Sequence, residues 1–292
     1  MSYILLNKET ARALLPRREE TAPKWAFGRT ALVCGCAAMS GAALLAGLAA
    51  LRSGAGLVQL CSVPEVIAAA RTALPEALLL PLDRTEGGQG VIRRESAGTV
   101  LAQGEKAQSL LVGCGLGISG DGRALLDRLL EGYSGTVVID ADGLNLLAER
   151  GALPPRVRGR CILTPHGGEF RRLSAPAEMG EDPGAAAEAL AARYGAVVAL
   201  KGAETHITDG LRRYVLSAPN SGMAKGGSGD VLAGLTAGLA AQMPDKPLEA
   251  AALAVWLHAR AGQLARQARG ARAMLPRDVL ECLGAAFSEL ED

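Results

Sequence analysis

Aromatic residues are scarce in this 292-residue chain: two Trp, four Tyr and three Phe make up 3% of it. The core must therefore be Ala, Leu and Val, which dominate the 49% of residues that are apolar. A chain of this length can bury a large core. An excess of one charge is also missing: 31 Lys and Arg face 30 Asp and Glu, a formal net charge of +1. No basic excess points to a nucleic-acid partner, and no acidic run marks a disordered tail. Paired cysteines are absent. Cys34, Cys36, Cys61, Cys114, Cys161 and Cys282 are scattered, without a C-x-x-C motif or a zinc spacing. Within apolar runs a free thiol behaves as a small hydrophobe, so reduced core cysteines of a cytoplasmic protein are expected. Long apolar runs are lacking too. The longest, Gly41–Leu51, is too short to span a bilayer, and Met1–Glu20 lacks the apolar centre of a signal peptide. A soluble protein with no membrane partner is expected.

Glycine is plentiful, with 37 residues, which suits many tight strand-to-helix turns. Strand-length apolar runs alternate with amphipathic stretches. Ala31–Gly35, Gly56–Cys61, Ala77–Leu82, Ser109–Gly113, Thr136–Asp140, Cys161–Thr164 and Ala196–Lys201 read as strands. Helices are expected over Ala42–Ser53, from Pro64, and over Gly122–Glu131, Asp142–Glu149, Glu169–Leu173 and Ala185–Tyr194. The last third is helical: Gly229–Gln242, Pro247–Arg269 and Pro276–Leu290. Asp209-Gly210 between Glu204–Thr208 and Arg212–Leu216 is a strong hairpin signal. The pattern predicts an α/β fold, a mostly parallel sheet flanked by helices, with an antiparallel edge. Residues 24–292 read as one catalytic domain, and residues 1–23 as an N-terminal extension that packs as a helix.

Ligands of such sheets bind outside the carboxyl ends of the strands. Five polar or glycine-rich segments fall there: Gly113–Gly117, Asp140–Asn145, Thr164–Glu169, Lys201–Thr205 and Asn220–Asp230. In the last, Gly226-Gly227-Ser228-Gly229 leads straight into a helix. Glycines let successive N–H groups converge, and the helix start adds unpaired donors and a positive dipole end. Together these form an anion hole for phosphate. Asp230, in the first turn, can take a proton from a substrate hydroxyl; the bland reading is a helix cap. The loop is not a Walker loop, because no G-K-[ST] occurs in it. Lys201, after a buried run, must meet water or a ligand anion; Gly202 permits close approach and Thr205 offers a hydroxyl. His166 on a loop reads as a ligand contact, and His206 and His258 read as structural. Asp140 and Asp142 suit Mg²⁺ held through water near phosphates, with Asp142 as a helix cap the alternative. Gly113–Gly117 alone is a weak phosphate-loop signal.

These motifs, in this order, resemble the ribokinase-like ADP/ATP-dependent NAD(P)H-hydrate dehydratases, related to the C-terminal half of YjeF-type proteins. The likeness runs from Lys24 to Leu283. Besides the segments above it includes Gly41–Leu45, Leu51–Val58, and Leu257-His258 with Ala261-Gly262. It implies a ribokinase-like three-layer sandwich and a repair lyase. Hydrated NADH or NADPH (NADHX or NADPHX) is phosphorylated on its ring hydroxyl by ADP or ATP, and phosphate then leaves to restore the nicotinamide. Asp230 would be the base. Lys201, Gly202, Ala203, Glu204 and Thr205, with Gly226, Gly227, Ser228 and Gly229, would hold the nucleotide. Ala42, Gly115, Gly117, Asn145, His166, Glu169, Asn220 and Asp230 would hold the hydrated dinucleotide. Mg²⁺ would bridge phosphates, and a homo-oligomer, commonly a tetramer, is implied.

The chain departs from the family pattern in places. Cys114 stands where the family has proline in G-P-G-L-G, and Gly167 where it has proline in P-H-P-G-E. Gly35–Ser40 departs from G-G-S-x-x-x-T. Lys225 replaces threonine in M-A-T-G-G, adding a cation beside the anion hole. The epimerase domain often fused to relatives is not expected in the residues before Lys24. Two alternatives share the Gly226–Asp230 loop: a small-molecule kinase of the same fold, of hydroxyethylthiazole-kinase or sugar-kinase type, and a nucleotide-binding relative that has lost catalysis.

Overall fold

The expected alternation assembles as a ten-stranded sheet. The computed structural model describes residues 3–175, 180 and 182–291. The strands are β1 (Ile4–Leu5), β2 (Arg29–Val33), β3 (Leu57–Ser62), β4 (Leu78–Pro81), β5 (Ser109–Val112), β6 (Thr136–Ile139), β7 (Cys161–Leu163), β8 (Val197–Leu200), β9 (Glu204–Thr208) and β10 (Arg213–Ser217). Their order is β1-β10-β9-β8-β7-β6-β5-β2-β3-β4. From β4 through β8 all neighbours pair parallel. Strands β5 to β8 are wholly buried, which is why they read as bare apolar runs.

The helices are α1 (Lys8–Leu14), α2 (Ser40–Arg52), α3 (Pro64–Ala73), α4 (Ser96–Gly104), α5 (Gly120–Gly132), α6 (Asp142–Arg150), α7 (Gly167–Ser174), α8 (Pro183–Tyr194), α9 (Ser228–Gln242), α10 (Pro247–Ala273) and α11 (Pro276–Glu291). Strand order runs one way through β2-β3-β4 and the other way through β5-β6-β7-β8. Right-handed crossovers then put α2 and α3 on one face and α5, α6 and α7 on the other. The reversal falls between β2 and β5, a switch point where ligands bind in this class of sheet. Helix α9 is buried on nearly every side and packs on α2 and on β2, β5 and β6. Gly234 allows that approach, since a β-carbon there would collide with the carbonyl of Ala46.

The hairpin forms as expected, with Thr208 opposite Arg213, and β9 also pairs antiparallel with β8. It is not the edge. β1 adds beyond it, parallel to β10, with Ile4 opposite Tyr214. The first residues thus contribute a strand as well as the expected helix, and Leu6 and Ala11 are buried in the common core. Helix α4 escaped the sequence reading, because Ser, Gly and Thr interrupt its apolar positions. Among the described residues no helix is long and apolar enough to cross a membrane.

Candidate active site

The parallel strands end together, and their last residues face one another. Asp140 follows β6, Thr164 follows β7 and Lys201 follows β8. Lys201 Nζ donates to Asp140 Oδ1 at 2.9 Å, and the Thr164 hydroxyl donates to the same oxygen at 2.7 Å. Glu169 Oε2 lies 3.8 Å from Nζ. Burial works against the Lys201 charge, but Asp140 and Glu169 outweigh it and hold its pKa above the usual lysine value. Burial likewise pushes the Glu169 carboxyl up.

Across from this cluster, Gly227 (φ 100°) precedes α9. Only glycine adopts that backbone readily; Ser228 N–H donates to the Lys225 carbonyl at 3.3 Å, and the next N–H groups of α9, those of Gly229 and Asp230, are left without an intrahelical partner. A methyl group on Gly229 would stand 3.4 Å from Lys201 Nζ and 3.6 Å from Asp140 Oδ2. The lysine cation and the positive helix end therefore converge, as an anion site requires. Asp230, one residue on, is half-buried. Its carboxylate, one from Asp140 and the Cys114 thiol lie within 4.8 Å of one another. Burial first, and then negative Asp140, push the Asp230 carboxyl up to about 6. Such a carboxylate is ionised at neutral pH yet basic enough to accept a proton.

A cavity of about 670 Å³ opens here. Six of the nine residues expected to hold a nucleotide line it: Lys201, Gly202, Ala203, Thr205, Ser228 and Gly229. Gly226 and Gly227 belong to the same loop but do not line the cavity. Glu204 faces away, its carboxylate 3.1 Å from His206 Nε2. Of the expected dinucleotide contacts, His166 and Asn220 line the cavity. Asn220 is committed to the loop itself: its Oδ1 accepts from Gly222 N–H at 3.0 Å and its Nδ2 donates to the Gly262 carbonyl at 2.9 Å. His166 caps α7 through Nδ1, which accepts from the N–H groups of Gly168 and Glu169.

The rest of that set lies towards the switch point. Gly115 abuts Ala42, since a β-carbon on the glycine would stand 2.9 Å from the alanine's. Gly117 N–H donates to Asp142 Oδ2 at 2.8 Å. Asn145 Oδ1 accepts from Arg172 Nε at 2.6 Å, which ties α6 to α7. Asp230 stands between the two regions.

Three sequence readings change. Lys225 borders the cavity, but its ammonium is not free for a ligand: its Nζ donates to the carbonyls of Arg272 and Met274, both at 2.7 Å. Asp142 neither caps α6 nor offers a free carboxylate, because it holds Gly117; Ala141, with φ 50°, is the capping residue. Asp140 is engaged through Oδ1 alone, by Thr164 and Lys201. His258, read as structural, lines the cavity. Burial pushes its pKa down to about 4, against a hydrogen bond to the Ser228 backbone. Leu216, Ala218, Met223, Leu232 and Val255 form an apolar wall. Their apolar types look like core in a sequence, and only the fold shows which side chains border open space.

The switch-point sheet, with its helix-start anion site and adjacent carboxylate, defines a ribokinase-like enzyme. A ribokinase-like superfamily protein of Enterococcus faecalis superposes with a TM-score of 0.86 at 26% identity, covering 98% of this chain and 95% of that one. The chain belongs to the NAD(P)H-hydrate dehydratase family, whose profile matches residues 30–284. The ADP/ATP-dependent NAD(P)H-hydrate dehydratase of Bacillus subtilis, co-crystallised with ATP/Mg²⁺, superposes with a TM-score of 0.83 at 28% identity over 99% of both chains. A bifunctional NAD(P)H-hydrate repair enzyme of Moorella thermoacetica is 37% identical over 99% of this chain and 54% of its own length. The chain spans about half the length of the curated relatives it matches.

Proposed function

We propose that the chain dehydrates hydrated NADH or NADPH at the expense of ADP or ATP, and that Asp230 is the base. The observation that carries this reading is the half-buried Asp230 carboxyl, raised to about 6, beside the first turn of α9. The nucleotide lies in the cavity along Lys201–Thr205, its base and ribose against the apolar wall and its terminal phosphate at Gly226–Gly229. The hydrated ring enters from the Ala42, Gly115 and His166 side. Asp230 takes the hydroxyl proton as the oxygen attacks the terminal phosphorus, and ADP or AMP leaves. The phosphorylated ring then loses phosphate and a proton, and the double bond returns. Lys201 and the N–H groups of α9 stabilise charge on the transferring group, the main source of catalysis in this class. Mg²⁺ enters with the nucleotide and neutralises phosphate charge. Homo-oligomeric assembly, commonly tetrameric, and a cytoplasmic site of action belong to the same reading.

The test is to incubate purified protein with hydrated NADH, Mg²⁺ and either ADP or ATP, and to follow recovery of NADH absorbance. No recovery with either nucleotide sinks the proposal.

A further inference from the structure

The turn between β7 and α7 carries a carboxylate that reaches back over it. His166 caps α7 through Nδ1, which accepts from the N–H groups of Gly168 at 2.9 Å and Glu169 at 3.4 Å. Glu169 closes the box, because its Oε2 accepts from the His166 N–H at 2.9 Å. Its Oε1 lies 3.4 Å from His166 Nε2. The next strand end is tied to the same turn. Lys201 N–H donates to the Pro165 carbonyl at 2.8 Å, His166 pairs with Lys201 in a parallel bridge, and Glu169 Oε2 stands 3.8 Å from Lys201 Nζ. The Glu169 side chain is only 7% exposed, against 57% for His166. His166 and Lys201 border the cavity, and Glu169 does not.

We propose that Glu169 is a positioning residue for the dehydration: it braces His166 from behind, so that the imidazole presents Nε2–H to an acceptor oxygen of the hydrated dinucleotide. The inference rests on the dehydratase reading. Nδ1 receives two backbone N–H groups and so carries no hydrogen, which leaves the ring hydrogen on Nε2. At 3.4 Å the contact of Nε2 with Glu169 Oε1 is long for a hydrogen bond, and the Nε2 hydrogen stays available to a ligand. Elimination of phosphate also releases a ring proton, and Glu169, a carboxyl that burial pushes up, has the character of a base for it. Its geometry assigns it otherwise. One oxygen holds the His166 N–H, the other faces the imidazole, and the side chain is closed off from the cavity. Glu169 acts through the histidine.

The test compares Glu169→Gln and Glu169→Ala with wild type in the complete reaction with Mg²⁺, ADP or ATP, and hydrated NADH. It records kcat and the KM for hydrated NADH, and reads the His166 tautomer by ¹H–¹⁵N correlation across the imidazole ring without substrate. Glutamine keeps an oxygen for the His166 N–H, so kcat and KM should stay within about threefold of wild type, with the ring hydrogen on Nε2. Alanine removes the brace. Its KM should rise about tenfold, as loss of one hydrogen bond dictates, kcat should change less, and the ring signals should move toward a mixture of tautomers. A glutamine variant that keeps the wild-type tautomer but loses about 10²- to 10⁴-fold in kcat, as removal of a base does, overturns the inference. So does a wild-type ring with its hydrogen on Nδ1, or an alanine variant with unchanged KM and tautomer. If alanine does not fold, glutamine decides alone by the same criteria. An inactive wild type with its ring hydrogen on Nε2 would instead remove the parent reading.

Discussion

The Lys201 ammonium, at the end of β8, borders Gly229 in the first turn of α9: a methyl group on the glycine would stand 3.4 Å from Nζ. That distance is ordinary van der Waals contact, so Gly229→Ala should fold. The added methyl would fill space that a phosphate oxygen needs. We expect nucleotide affinity to fall at least about tenfold, equivalent to ~1.4 kcal/mol, with Tm nearly unchanged. Calorimetric titration with ADP and ATP, beside thermal unfolding, measures both.

Asp230→Asn keeps the shape of the side chain and removes the base. Turnover should fall by about 10²- to 10⁴-fold, while the nucleotide still binds. A variant with the wild-type rate would refute the assignment of Asp230.

The pH dependence follows from the same carboxyl. With its pKa near 6 in the fold, kcat/KM should fall below about pH 6 as the base takes up a proton. Stability moves the other way. The folded pKa lies above the usual 3.8, so the fold prefers the protonated form. That contribution is full at about pH 3 and is lost as pH rises through about 6. Asp230→Asn should accordingly raise Tm near neutral pH and change it little in acid. A Tm gain that is equal at both pH values would contradict the argument.

Lys201→Met should cost stability as well as nucleotide affinity. It leaves the buried Asp140 carboxylate without its cation, and breaking a buried pair costs on the order of 3 kcal/mol. Adding Asp140→Asn removes the stranded charge, and denaturant unfolding should show the double variant more stable than Lys201→Met alone.

Lys225 looks in the sequence like a phosphate ligand, but its ammonium is bound to two main-chain carbonyls. Lys225→Met should free the loop, weaken nucleotide binding less than Gly229→Ala does, and lower Tm by about 2 °C or more.

The parallel sheet was legible because strands buried on both faces must be apolar throughout, as in Val137-Val138-Ile139. The hairpin was legible through Asp209-Gly210. The tight turn into α9 was legible because Gly227 needs a backbone that few other residues adopt. Side-chain direction was not legible. Lys201 and Lys225 both border the cavity, yet the Lys201 ammonium lies between two carboxylates and the Lys225 ammonium is bound to carbonyls at the end of α10. Strand β1 is too short for a period-two signal, and its partner β10 is about 210 residues away in sequence. His258 and Val255 belong to a helix whose apolar residues point nearly all round, so no periodicity marks the side that lines the cavity.

The Lys225 bonds have a mechanical meaning. Helix α10 breaks at Gly270 (φ 74°), and the carbonyls just beyond the break, of Arg272 and Met274, receive the ammonium. Pro276, the first residue of α11, also lies against Gly227. The Lys225–Gly229 loop is thus bolted to the joint between the last two helices. It is tied down before any ligand arrives, so binding there has little loop left to freeze.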